Sequence, residues 1–188
     1  MKLHSLCVFC GSSSGIGPEY LAEASSFGTL LASEGITLVY GGGNVGLMGA
    51  LADAALAAGG KVIGVIPLLL LEKEVAHMGL TELHPVASMH ERKMKMALLS
   101  NAFVALPGGI GTLDEIFEAT TWTQLGFHAK PCGFLNVAGF YDPLFDFIRQ
   151  LVTEGFLNEK HLDSLLIESD PRRLLKRLSA YQLSSKWS

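Results

Sequence analysis

Short apolar segments that are typical of β-strands alternate along this chain with longer helical patterns, and this alternation restricts the fold more than any other feature. Continuously apolar strands separated by helices indicate a parallel sheet that is covered by helices on both faces. The strand-like segments are Ser5–Cys10, Thr37–Tyr40, Val62–Ile66, Ala102–Leu106, Cys132–Val137 and Leu165–Ile167, with a further extended segment at Thr81–Val86. The sequence therefore predicts a Rossmann-like α/β fold, with residues 1–188 forming a single domain.

Helical patterns fill most of the intervals between these strands. The predicted helices are Pro18–Glu34, Leu47–Ala58, Ser88–Ser100, Thr112–Leu125, Asp142–Thr153 and Pro171–Ala180, whereas 67–79 is expected to be irregular or a short helix. Each glycine-rich loop follows a strand. Because ligands of open α/β sheets bind beyond the carboxyl ends of the strands, we expect these loops to gather at one ligand-binding edge.

The most specific motif is residues 107–115, Pro-Gly-Gly-Ile-Gly-Thr-Leu-Asp-Glu, which lies between a strand and a helix. Three glycines would let the backbone approach a ligand, and the N–H groups at a helix start favour a phosphate. An alternative is a simple turn in which Thr112 and Glu115 form a capping box. That alternative explains these two residues but not the three glycines, so phosphate binding is favoured.

A second glycine-rich loop, residues 41–49, matches the pattern G-x-G-x-x-G. A dinucleotide site would add an acidic residue at the end of the next strand, about 20 residues further on. That place holds Ile66, Pro67 and Leu68, which argues against NAD binding. Two interpretations of Gly42 and Gly43 remain, tight packing of a helix against the sheet or a loop that lines a ligand.

Residues 89–96 begin a helix in which cations share one face with large apolar side chains. Helical spacing places Met89, Arg92, Lys93 and Met96 together. A partly buried arginine requires an anionic partner such as a substrate phosphate or a carboxylate. The alternative is that both cations extend along the apolar surface and keep their charges in water.

The overall charge argues against broad binding to nucleic acids or membrane surfaces, because 14 basic and 18 acidic residues give a net charge of −4. The longest apolar stretch, 62–71, is far shorter than the roughly 20 residues of a membrane span. Three cysteines and no signal-peptide pattern predict a cytoplasmic protein. The six histidines show no metal-ligand spacing, so we expect no metal site.

Together, the segments Val39–Gly43, Met89–Lys93 and Pro107–Glu115 closely resemble the Lonely Guy (LOG) family of cytokinin riboside 5′-monophosphate phosphoribohydrolases. Such proteins are often labelled lysine decarboxylases, a label that the missing pyridoxal-phosphate features do not support. The resemblance, which runs from about Ser5 to the Asp142 region, implies a Rossmann-like homodimer that needs no cofactor. It also implies that a nucleoside 5′-monophosphate is cleaved to free base and ribose 5-phosphate.

The resemblance also assigns roles to residues. The catalytic arginine and glutamate of the family fall on Arg92 and Glu115. With the two glycine-rich loops included, the expected substrate-binding residues are Glu74, Lys93, Gly108, Gly109, Ile110, Gly111, Thr112, Thr121, Gly42 and Gly43. From its local sequence alone, within Glu72-Lys73-Glu74, Glu74 would be assigned to a solvated surface.

A mechanism follows from this assignment. Cleavage of an N-glycosidic bond passes through an oxocarbenium-like sugar, which the carboxylate of Glu115 would stabilise. Arg92 would either keep Glu115 ionised or stabilise charge on the departing base, and the sequence does not separate these roles. The substrate could be AMP, an N6-substituted AMP or another nucleotide. The alternative is a noncatalytic nucleotide-binding or cofactor-carrier module on the same fold.

Overall fold

The structure is a computed structural model that describes residues 2–71 and 76–181. Within these ranges, one seven-stranded sheet forms in the order β4-β3-β2-β1-β5-β6-β7, and every strand pair is parallel. Its strands are β1 (Ser5–Phe9), β2 (Thr37–Tyr40), β3 (Val62–Pro67), β4 (Glu82–Val86), β5 (Ala102–Ala105), β6 (Cys132–Leu135) and β7 (Leu166–Glu168). The predicted Rossmann-like α/β fold with a parallel sheet is confirmed.

Helices connect the strands. They are α1 (Pro18–Ser33), α2 (Gly46–Ala57), α3 (Leu68–Leu71), α4 (Met89–Leu99), α5 (Ile110–Gln124), α6 (Asp142–Thr153), α7 (Glu159–Asp163) and α8 (Pro171–Ala180), with a 3₁₀ turn at Val137–Gly139. Two differences from the sequence-based expectation stand out. Helix α5 begins at Ile110, two residues before the predicted start, and the short helix α7 was not predicted.

Two hydrophobic cores cover the two faces of the sheet. Helices α1, α2 and α8 supply side chains to one core, and α4, α5 and α6 supply side chains to the other. Cys7 belongs to the second core and Cys10 to the first, so the two thiols face opposite sides as the strand pattern predicts. All three cysteines are free and buried.

The apolar residues of α5 are accounted for by this packing. Ile116 and Ala119 are buried in the second core, and Leu113, Phe117 and Trp122 are partly buried against it. These side chains pack against the second core, and the three partly buried ones keep part of their surface exposed on the chain. No helix in the described part of the chain is long and apolar enough to cross a membrane.

The strand order places a topological switch next to β1. From β1 the chain builds outward through β2, β3 and β4, and then returns to add β5 on the other side of β1. The chain after β1 continues into α1 on one face of the sheet, and the chain after β5 continues into α5 on the other face. In such folds ligands bind at this point, in a crevice at the carboxyl edge of the sheet.

Candidate active site

A cavity of about 370 Å³ opens at this edge of the sheet, between α4, α5 and the loop after β1. The volume lies in the range of small-ligand sites. The cavity is lined by Cys10, Gly11, Ser12, Met48, Leu70, Met89, Arg92, Gly109, Ile110, Gly111, Thr112, Asp114 and Glu115. It therefore brings together both residues expected to be catalytic and most of the turn expected to bind phosphate.

The N-terminus of α5 faces this cavity without a side-chain cap. Gly109 is the N-cap residue, and it has no side chain that could accept a hydrogen bond from the first turn. Thr112 and Glu115 lie inside the helix, so the capping-box interpretation of this pair is wrong. The first N–H groups of a helix have no partner within the helix and carry the positive end of its dipole. This end of the cavity is thus suited to an anion.

Glycine occupies the three positions of the turn for different structural reasons. A Cβ at Gly108 would overlap the Thr112 side chain and lie 2.9 Å from the backbone nitrogen of Gly11, so the protein's own packing requires glycine there. At Gly109 and Gly111 a Cβ would meet nothing within 4 Å, and neither backbone has a positive φ. Both residues line the cavity, so close approach of a ligand is the remaining physical reason for their lack of a side chain.

Arg92 is held at the base of the cavity by backbone carbonyls. Helix α4 starts at Ser88, whose hydroxyl accepts a hydrogen bond from the Glu91 N–H, and this cap fixes the turn that carries Arg92. The Arg92 side chain donates from Nε to the Val65 oxygen at 3.1 Å and from Nη2 to the Gly41 oxygen at 2.8 Å. The residue is only 4% exposed. The interpretation that it extends into water is therefore wrong.

Glu115 lies on α5 one turn beyond Thr112 and lines the same cavity. Its carboxylate is close enough to the thiol of Cys10 to matter electrostatically. Burial, and secondly this negative charge, raise the pKa of Cys10 well above its ordinary value. Cys10 is consequently a neutral thiol in the cavity wall. The charged residues of the wall are Arg92, Asp114 and Glu115.

Lys93 points elsewhere. Its Nζ lies 2.7 Å from Oδ2 of Asp114 and 3.2 Å from Oε2 of Glu118, both on α5. Burial alone would lower the pKa of Lys93, but hydrogen bonds to these two carboxylates outweigh burial and raise it. Lys93 is not among the residues that line the cavity. The structure thus places this expected substrate-binding residue in an ion-pair cluster between α4 and α5.

Gly42, Gly43 and Thr121 are not among the residues that line the cavity. Gly42 has a φ of +79°, and its carbonyl accepts a hydrogen bond from the His77 N–H, while the Gly43 carbonyl accepts one from the Tyr40 hydroxyl. These contacts support the packing interpretation of this loop. The exposed Thr121 donates from its hydroxyl to the Phe117 carbonyl on its own helix. Glu74 lies outside the described residues.

Sequence reasoning missed several residues of the cavity wall. Asp114 was part of the quoted motif but received no role, although it precedes Glu115 on the first turns of α5. Ser12 could have been found from its place in a loop that follows a strand. Met48 and Leu70 carry no local signal, because only the packing of α2 and α3 brings them here.

Comparisons of sequence identify relatives of one activity. Residues 48–178 match a family described as "Possible lysine decarboxylase". The probable cytokinin riboside 5′-monophosphate phosphoribohydrolase LOGL9 of Oryza sativa subsp. japonica is 48% identical over 180 residues, which cover 96% of this chain and 79% of the relative. Cytokinin riboside 5′-monophosphate phosphoribohydrolase LOG1 of Arabidopsis thaliana is 46% identical, with 96% and 84% covered.

Comparisons of structure agree on the fold. The molybdenum cofactor carrier protein of Chlamydomonas reinhardtii aligns with a TM-score of 0.72 at 22% identity, covering 96% of this chain and all of that one (100%). The molybdenum cofactor binding protein of Rippkaea orientalis aligns with a TM-score of 0.70 at 24% identity, covering 96% and 98%. At these identities the likeness concerns the fold alone.

Proposed function

The chain belongs to the LOG family of cytokinin riboside 5′-monophosphate phosphoribohydrolases, and we propose that it hydrolyses the N-glycosidic bond of adenosine 5′-monophosphate or its N6-substituted forms. Water adds to the anomeric carbon, the base leaves with a proton, and ribose 5-phosphate is the second product. The observation that carries the proposal is that an uncapped helix N-terminus, a carboxylate and a buried guanidinium share one cavity.

The geometry suggests how the substrate lies. The phosphate binds at the Gly109–Thr112 turn, where helix N–H groups and the helix dipole favour an anion. Glu115 lies three residues further along α5, which corresponds to about 5 Å along the helix axis. The sugar rather than the phosphate therefore meets the Glu115 carboxylate, which stabilises the developing positive charge on the ring and orients the attacking water.

Arg92 acts from helix α4. The carbonyls of Gly41 and Val65 fix its guanidinium without adding charge, so the arginine keeps one position during the reaction. Such a fixed cation stabilises negative charge that develops on the departing base, and it also favours the ionised form of Glu115. Three apolar side chains of the same cavity, Met48, Leu70 and Met89, offer a surface for an N6-alkyl group.

A homodimer is part of the proposal, and exposed apolar side chains support it. Helix α4 exposes Met94 and Leu98, and the end of α5 is followed by exposed Leu125 and Phe127. The Lys130 ammonium donates to the Ala97 carbonyl at 2.6 Å and so joins these two regions. Exposed large apolar side chains on two segments that a hydrogen bond ties together support an association surface in this region. The proposal also places the protein in the cytoplasm, without a nucleic-acid partner.

The test is a panel of substrates with both products quantified. AMP, an N6-alkylated AMP, another nucleoside monophosphate and adenosine are incubated with the purified protein, and free base and ribose 5-phosphate are measured by chromatography. We expect equal amounts of both products from AMP or its N6-substituted form, and far less efficient cleavage of adenosine, which lacks the phosphate. Binding of AMP without release of adenine would favour a noncatalytic carrier instead.

A further inference from the structure

An acidic side chain lies beside the proposed phosphate site, where it would oppose binding. Asp114 lines the cavity and is two residues beyond Thr112 on the first turns of α5. Like charges in one site repel each other, and partial burial of the site weakens the screening by water. The proposed reaction assigns a task to Glu115 but none to Asp114. The cavity therefore carries one carboxylate more than hydrolysis of the glycosidic bond requires.

Lys93 is placed to compensate this charge. Its ammonium contacts the Asp114 carboxylate at 2.7 Å and the Glu118 carboxylate at 3.2 Å, and its side chain is 12% exposed. Asp114 is itself 57% exposed, on the cavity side of the pair. The contact also joins α4, which carries Arg92, to α5, which carries Glu115. One partly buried cation thus links both helices of the site.

We propose that Lys93 is a positioning residue that acts through Asp114, neutralising its carboxylate so that the nucleotide phosphate can bind, and does not itself contact the nucleotide. This inference rests on the proposed nucleotide site but not on the chemical step. A direct contact with the phosphate would require the ammonium to enter a cavity that it does not line, away from the two carboxylates that it contacts. Lys93 therefore determines affinity for the charged end of the substrate.

The test is a double-mutant cycle on Lys93 and Asp114. The variants are Lys93→Met, Asp114→Asn and the double variant, and the readouts are the Kd of AMP by calorimetry and the KM and kcat of turnover. We expect Lys93→Met to raise Kd and KM about tenfold, with a smaller change in kcat. A tenfold change is the order of magnitude expected when one uncompensated carboxylate repels the phosphate within the same cavity. Asp114→Asn should bind AMP at least as well as the wild type. The double variant should return to within about twofold of Asp114→Asn, since no carboxylate is left to neutralise.

Two controls separate this role from general structural damage. Glu118→Gln removes the other carboxylate contact of Lys93, which lies off the cavity, and should leave the Kd of AMP unchanged. Adenosine, which carries no phosphate, should bind to Lys93→Met as well as to the wild type. Lys93→Arg keeps a cation beside Asp114 and should preserve affinity. Melting temperatures of all variants show whether each one is folded.

The outcomes are distinguishable. A double variant that binds AMP as poorly as Lys93→Met would show that Lys93 contacts the nucleotide directly and would overturn the inference, as would wild-type affinity in Lys93→Met. If the wild type binds AMP but releases no adenine, the proposed hydrolysis fails, while the Kd values still decide the role of Lys93. A wild type that binds no AMP overturns both.

Discussion

The position of Arg92 can be perturbed without touching Arg92, through Gly41. A Cβ added at Gly41 would overlap Nη2 of Arg92 and lie 3.2 Å from its Cζ and 3.4 Å from Sδ of Met48. The backbone of Gly41 has no positive φ, so alanine fits the chain conformation. Gly41→Ala is therefore expected to act by displacing the guanidinium and not by straining the backbone.

The expected losses of stability and of kcat in Gly41→Ala follow from the hydrogen bond and the position that the guanidinium loses. Displacing Nη2 breaks its 2.8 Å hydrogen bond to the Gly41 carbonyl, and a hydrogen bond that involves a charged group contributes about 1.5–3 kcal/mol to stability. For a chain of this size, that loss corresponds to a decrease in melting temperature of roughly 3–12 °C. A catalytic group misplaced by about 1 Å costs on the order of 100-fold in rate. We therefore expect a folded protein whose kcat is reduced about 100-fold.

The assay is adenine release from AMP under saturating conditions, with circular dichroism to confirm folding. Gly28→Ala is the matched control, because its Cβ would overlap the Leu51 carbonyl oxygen where α1 packs on α2, away from the cavity. This control should lose stability but keep its kcat per folded molecule. If Gly41→Ala retained kcat within about twofold of the wild type, a fixed Arg92 would not be needed, and the reasoning would be refuted.

Three further predictions concern the same site and its surroundings. Glu115→Gln should lower kcat by about 10²–10³-fold in a protein that still folds, because the amide keeps the size of the side chain and removes its charge. A near-native kcat would remove Glu115 from the mechanism. Gly109→Asp should cap α5 and stabilise the protein by a few tenths of a kcal/mol. The added negative charge should raise the KM of AMP at least about tenfold. An unchanged KM would argue against a phosphate at this turn. Phe127→Glu should reduce the mass measured by light scattering from twice the 20.1 kDa chain mass to the chain mass, and a wild type of 20.1 kDa would contradict the dimer.

The centre of the sheet could be predicted from the sequence because its inner strands are buried on both faces. Each strand from β1 to β3 is a short apolar run, and a run of this kind needs helices on both sides. The start of α5 could not be predicted in the same way. Helix starts are recognised by Ser, Thr, Asp or Asn at the N-cap, and Thr112 is the first such residue after the strand. The true N-cap is Gly109, whose backbone (φ −90°, ψ −159°) is extended but whose side chain gives no signal.

The candidate site was predictable to the extent that motifs mark the ends of strands and the starts of helices. Arg92, Glu115 and the glycine turn were found in this way. The partners of Arg92 were not, because the carbonyls of Val65 and Gly41 lie 27 and 51 residues away in sequence and meet the guanidinium only in the folded sheet. Backbone carbonyls carry no residue signature. An arginine that shares a face with methionines therefore predicts a partner but does not identify it.

The start of α5 differs from the other helix starts in what lies beside it. Helices α4, α7 and α8 each begin with a side chain that accepts a hydrogen bond from the first turn, whereas α1, α2, α5 and α6 begin without such a cap. Among these four, α5 is the helix whose N-cap residue, Gly109, lines the cavity of Arg92 and Glu115. A lost side-chain cap typically costs about 1 kcal/mol, although glycine at this position costs only a few tenths. The first N–H groups of α5 are thus available to a partner from outside the helix. Gly109 and Gly111, where a side chain would meet no other part of the protein, leave room for that partner. In a protein of net charge −4, backbone donors at one helix end let an anion bind without an excess of basic side chains.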